Sequence, residues 1–109
     1  MPSSLHVRSG AEVRIVPVER ILYAEHRNHR TLLCTQEEEI PCSCSIRALE
    51  EQLLPHGFFR CHSAFMVNLA KVERLVGADM IVGSHCLPLS KHRRKQFLSA
   101  LAAYWGERG

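Results

Sequence analysis

Most of the chain is made of short runs in which apolar and polar residues alternate, each closed by turn-forming residues. Alternation with a period of two is the signature of strands with one buried face. Val13 and Ile15 ahead of Pro17 predict a strand and then a break. Ile21 to Glu25 predicts a second strand, and Thr31 to Thr35 a returning one. The polar run Arg27-Asn28-His29-Arg30 lies between them and reads as a hairpin tip. Gln36 to Glu38 then turns, and Glu39 to Cys42 gives a further short strand.

Two segments carry helical spacing instead. Ile46, Leu49 and Leu53 follow Ser45, a good N-cap, and Pro55-His56-Gly57 stops the run, which predicts a helix over 45–54. A second helix is predicted over 90–104, with an apolar face of Phe97, Leu98, Leu101 and Trp105. Between the helices, "KVERLVG" and "ADMIVGS" read as strands joined near Gly77-Ala78-Asp79. "HCLPLS" reads as another, with Pro88 arguing for an edge or an end. The expected fold class is therefore mostly β, in small antiparallel sheets with two short helices, as a single domain over 1–109.

The stretch "FFRCHSAFMVNLAKV" is the most apolar of all, yet it holds Arg60, His62 and Asn68. Strict alternation puts Phe58, Arg60 and His62 on one face and Phe59 and Cys61 on the other. Buried polar groups must find hydrogen-bond partners. Arg60 and Asn68 are thus expected to hold backbone groups of the strand and the following turn, and His62 either to do the same or to face a partner.

The length of 109 residues suits one core that needs no staple. Five cysteines at scattered spacings fit reduced thiols rather than a secreted disulfide framework. No apolar run approaches the roughly 18 residues of a membrane span, and "MPSSLHVRSG" has no apolar signal region, so a cytoplasmic protein is expected. The net charge of +3 is unevenly spread: residues 1–57 carry −2 and residues 58–109 carry +5. Four of the latter half's basic residues lie in "SKHRRK", at the start of the second helix. The positive end of a helix dipole disfavours Lys and Arg, so an external polyanion is one explanation, and a solvated helix start is another.

No metal and no cofactor is expected. Zinc favours C-x2–4-C pairs, whereas Cys42-x-Cys44 is tighter, and the neighbours in Cys61-His62 and His85-Cys86 point to opposite faces of a strand. Glycine-rich phosphate loops, G-x-S-x-G and H-E-x-x-H are all missing from the sequence, so an enzyme is not expected. Duplex DNA binding needs basic groups for phosphates and a few rigid polar groups for base edges. Arg27, Asn28, His29 and Arg30 supply one cluster. Arg60, His62 and Ser63 supply a second, and Lys91, His92, Arg93 and Arg94 a third. The alternatives are a protein-interaction or ligand-sensing β domain that uses its basic patch, and a metal-binding or redox-sensing module through Cys61.

These residues resemble a known family. "FFRCHSAFMVNLAKV" is similar to the signature of the LytTR DNA-binding domain, with Phe59, Arg60, His62, Phe65, Val67 and Asn68 at matching positions. "LPLSKHRRKQF" resembles that family's closing strand and basic helix start, and "ILYAEHRNHRTLLCT" its strand pair. The resemblance covers about residues 5–104. It implies a bacterial transcription regulator, stand-alone or the output domain of a two-component response regulator, that inserts loops into successive major grooves of promoter repeats. A receiver domain and a second copy on DNA are the implied further partners. Carried over by position, the implied DNA contacts are His29, Ser63 and the segment Lys91, His92 and Arg93. Ser63 departs from the Arg, Lys or Asn usual there, and Ala64 from the usual Ser.

Overall fold

The computed structural model describes residues 3–108, so Met1, Pro2 and Gly109, the outer limits of the expected single domain, lie outside the described residues. Its strands are β1 (Ser4–Ser9), β2 (Glu12–Pro17), β3 (Tyr23–Arg27), β4 (Arg30–Cys34), β5 (Glu39–Cys42), β6 (Phe58–His62), β7 (Phe65–Asn68), β8 (Val72–Val76), β9 (Asp79–Val82) and β10 (His85–Pro88). The helices are α1 (Ile46–Leu53) and α2 (Arg94–Arg108). All the pairings are antiparallel. A five-stranded sheet runs in the order β5-β4-β3-β7-β6, beside a two-stranded β1-β2 ribbon and a three-stranded β10-β9-β8 sheet.

The five-stranded sheet is buried on both faces, and alternation sorts its residues between two cores. Ala24, Leu33, Ile40, Phe58 and Met66 join Leu5, Val7 and Val16 of the ribbon and Ile46, Leu49 and Leu53 of α1. Tyr23, Cys34, Cys61 and Val67 join Met80, Val82 and Leu87 of the small sheet and Phe97 of α2. The mostly β architecture with two helices is as expected. The ribbon adds a strand that the polar-rich "SLHVRS" does not announce. Only Leu5 and Val7 of that strand are buried, so its pattern is too short to stand out.

Several local expectations hold. Ser45 accepts from the Ala48 amide as the N-cap of α1. Gly57 ends that segment at φ +82°, where an added Cβ would come within 2.7 Å of the Tyr104 ring. Pro88 closes β10, an edge strand whose ladder it need not feed.

Two expectations change. The basic segment is split: Lys91–Arg93 form a separate 3-10 turn, and only Arg94 and Lys95 fall in the first turn of α2. The buried face of α2 is Phe97, Ala100, Leu101 and Tyr104, while Leu98 and Trp105 stand 40% and 44% exposed. Spacing of three and four residues around Phe97 tracks one helix face, whereas Leu98 and Trp105 stand about 80–100° round the helix from Phe97.

Candidate nucleic-acid interface

The hairpin tip is a two-residue turn. Arg27 pairs with Arg30 across β3 and β4, which leaves Asn28 and His29 as the loop. Their φ values are +52° and +62°. Positive φ at both loop positions defines the type I′ turn, whose twist matches the strands it joins. That turn favours Asn-Gly, because a side chain in the left-handed region costs about 1–2 kcal/mol. Asn28 suits the first position. His29 occupies the second in place of glycine, so the chain carries strain to present an imidazole at its most projecting point. Asn28, His29 and Arg30 are exposed. Arg27 is different: its guanidinium pairs with Glu39 and lies 3.7 Å from Glu25, so its charge is met within the protein.

The second cluster is built on a β-bulge. Arg60 pairs with Met66 and His62 with Phe65, so Cys61 is the extra residue. The bulge breaks the alternation expected of this strand, because it turns His62 onto the face of Phe65, with ring centroids 5.8 Å apart. Arg60 stays on the opposite face and pairs with Glu50 of α1 at 2.9 Å. The Arg60 guanidinium also donates to the carbonyls of His62 and Ser63, and the Ala64 amide donates to His62 Nδ1 at 3.1 Å. The turn at Ser63 is thus tied from both flanks. Its own side chain stays exposed.

Asn68 closes the same strand pair. Its side-chain amide donates to the Ile21 carbonyl at 2.9 Å, and its Oδ1 accepts from the Ala70 amide at 3.1 Å. Arg60 and Asn68 therefore do what buried polar groups in an apolar segment must do, and His62 joins them.

The bulge also docks the third cluster. The Ser90 amide donates to the Cys61 carbonyl at 2.8 Å, and the Arg93 guanidinium reaches the Arg60 carbonyl at 3.5 Å. Arg94 donates to the Gly77 carbonyl at 3.1 Å. Lys91 and His92 are exposed, and among the described residues neither side chain has a hydrogen bond or ion pair.

The clusters meet around two clefts. One, of about 560 Å³, is lined by His29, Arg30, Ser63, the Cys42–Ser45 turn and Arg47. The other, of about 400 Å³, is lined by His92, Arg93, Arg60 and Glu50. Arg60 stands between them, lining the second while its guanidinium holds Ser63 at the rim of the first. Arg47 was not among the residues singled out from sequence. The signal was present: it sits in the first turn of α1, where there is no acidic residue and a cation opposes the helix dipole. Among the described residues no three His, Cys, Asp or Glu side chains converge so as to hold a metal ion, and no helix is long and apolar enough to cross a membrane.

Comparison with known proteins converges on one description. The family model for the LytTr DNA-binding domain matches residues 11–102. The transcriptional regulatory protein YpdB of Escherichia coli K12 is 34% identical over 72 residues, which cover 66% of this chain and 30% of that protein. YpdB of Shigella flexneri matches to the same extent. The chain therefore spans about 30% of the length of these relatives. Among solved structures, a LytTr DNA-binding domain from Bacillus cereus superposes with a TM-score of 0.76 at 20% identity, over 91% of this chain and 96% of that one.

Proposed function

The chain belongs to the LytTR DNA-binding domain family, and from that premise we propose that it binds duplex DNA sequence-specifically to regulate transcription, through its hairpin tip, its Ser63 turn and its 91–94 segment. The observation that carries the reading is the strained His29, held at the tip of a type I′ turn beside Arg30 and Ser63. A histidine that projects from a rigid two-residue loop suits a base edge in the major groove. Arg30, Lys91, Arg93 and Arg94 suit phosphates, which fix register without reading sequence. Asn28 flanks the reading position, and His92 extends the third contact. His62 supports the Ser63 turn, and Arg27 stiffens the hairpin through Glu25 and Glu39. Promoter repeats spaced for two grooves would accept a second copy of the domain. A receiver domain is the source of control that the family resemblance implies, and the matched region covers 30% of YpdB.

The test begins with duplexes selected from a random pool by the full chain. Affinity for a selected and a random duplex is then measured across a salt series. Several phosphate contacts give a steep linear fall of log K with log salt. His29→Ala should lose about 1–3 kcal/mol on the selected duplex and much less on the random one. Arg93→Ala should weaken both about equally and lower the salt slope by about one. A salt slope near zero would overturn the reading. An unchanged selected-to-random ratio in His29→Ala would move base reading to Lys91, His92 or Ser63.

A further inference from the structure

The wall of the larger cleft holds a chemical feature that DNA contact does not explain. Cys42 ends β5 and Cys44 precedes the N-cap Ser45, and their Sγ atoms lie 2.6 Å apart across Ser43. A disulfide closes at about 2.05 Å, so roughly half an ångström separates these thiols from a bond. The turn that carries them is tied to β1 at one point, where the Ser43 amide donates to the Arg8 carbonyl at 2.8 Å. Both side chains are half-buried, packed on the first core at one edge and lining the cleft at the other. Cys34 and Cys61, by contrast, are buried in the second core, and Cys86 is exposed elsewhere.

We propose that Cys42 and Cys44 form a redox-modification site, a dithiol that hydrogen peroxide oxidises to an intramolecular disulfide in the wall of the DNA-facing cleft. The Cys42 thiolate attacks one peroxide oxygen, the O–O bond breaks, and a sulfenic acid and one water form. The Cys44 sulfur then attacks the sulfenic sulfur, the S–S bond forms, and a second water leaves. Two electrons pass from the thiols to the peroxide, and the two thiol protons end in the two waters. Burial and the neighbouring Cys42 push the Cys44 thiol up to about 12, so the first attack on the peroxide is assigned to Cys42 rather than to Cys44.

The ring that this bond closes spans three residues. Stabilisation by a disulfide grows with the loop it closes, so this one contributes little to stability. Small strained bridges are also the readily reduced ones, which suits a reversible signal better than a staple. The functional half of the inference rests on the DNA reading above. The bonded turn carries Ser45 and leads directly into Arg47, opposite His29 and Arg30. Locking it shifts that wall against the hairpin tip, so oxidation weakens DNA binding on the order of tenfold, about the worth of one lost contact.

The test treats the full reduced chain with hydrogen peroxide, alkylates the remaining thiols and weighs the product. Three of the five cysteines should be alkylated, and all five after treatment with dithiothreitol. Cys42→Ser and Cys44→Ser should each abolish the bridge, whereas Cys61→Ser and Cys86→Ser should leave it. Five alkylated thiols, or a bridge mapped to another pair, would overturn the site. Binding to one selected duplex is then compared for oxidised wild type and for the peroxide-treated Cys42→Ser/Cys44→Ser variant. Equal affinity would overturn the regulatory half and leave the modification site standing. A reduced chain that bound no duplex would remove that half together with the DNA reading, while the mass measurement would still decide the site.

Discussion

The Arg60 guanidinium donates to the Ser63 carbonyl, at the tip of the turn that its own strand leads into. The same group donates to the His62 carbonyl and pairs with Glu50, while its backbone carbonyl accepts from Arg93. One half-buried residue therefore supports two of the three proposed contact segments without being a contact itself. Lysine keeps the charge but loses the planar fork that serves three acceptors at once. Arg60→Lys should accordingly lower stability by about 1.5–3 kcal/mol, the range for hydrogen bonds to a charged group. It should also weaken DNA binding under conditions where the chain remains folded by circular dichroism. Unfolding midpoints and affinities measured side by side check this, and equal affinity in the folded variant would limit Arg60 to stability.

The left-handed His29 sets stability and function in opposition. Glycine at that position removes the strain of a side chain at positive φ, so His29→Gly should stabilise the fold by up to about 1 kcal/mol. The same change removes the imidazole and should relax sequence preference, as His29→Ala does. A stabilised variant that still discriminated the selected from the random duplex would separate the strain from any reading role. Urea titration and competition binding give the two values.

Much of this arrangement is legible along the chain, and the part that is not has a physical reason. The strand pairs, α1 with its Ser45 cap, and the tip at Arg27–Arg30 follow from local periodicity and turn chemistry. So does the need for Arg60 and Asn68 to bind backbone groups, because an apolar segment leaves a polar side chain no other stable option. The Cys61 bulge does not announce itself, since one extra residue in a five-residue strand looks like alternation until the partner strand is known. Its consequences, the rotation of His62 onto Phe65 and the docking of Ser90 on the Cys61 carbonyl, are hidden with it. Arg27 resembles its basic neighbours in sequence, and only the strand order β5-β4-β3 brings Glu39 within reach of its side chain. Arg47 joins the cleft through the same kind of long-range packing.

Asn68 makes a sharper stability prediction than the surface residues do. It is buried, and its two side-chain hydrogen bonds join the Ile21 carbonyl to the Ala70 amide. Asn68→Ala leaves a donor and an acceptor unmet, at about 1–3 kcal/mol for each group that stays buried. Asn68→Asp keeps the acceptor for Ala70 but sets a carboxylate against the Ile21 carbonyl, and it should be no more stable than the alanine variant at neutral pH. Chemical denaturation of the two variants checks the order. A near-wild-type Asn68→Asp would show that the Ile21 carbonyl does not need its donor.

Alkaline pH should destabilise the domain through its buried thiols. Burial pushes the Cys61 thiol up to about 12 and the Cys34 thiol up to about 11, against about 8.5 in an unfolded chain. The folded state thus keeps protons that the unfolded chain gives up. The resulting stability is fully present below about pH 8.5 and is lost as pH rises towards the folded values. Each such thiol contributes a slope of about 1.4 kcal/mol per pH unit within that window. Cys61→Ala should begin less stable at pH 7, because it leaves a small void. Its decline between about pH 9 and 11 should then be shallower than wild type by that single-thiol slope. The measurement is urea unfolding at stepped pH under reducing conditions, which hold Cys42 and Cys44 as thiols. Parallel declines for the two proteins would mean that Cys61 is hydrated in the folded state and contributes nothing to the alkaline limit.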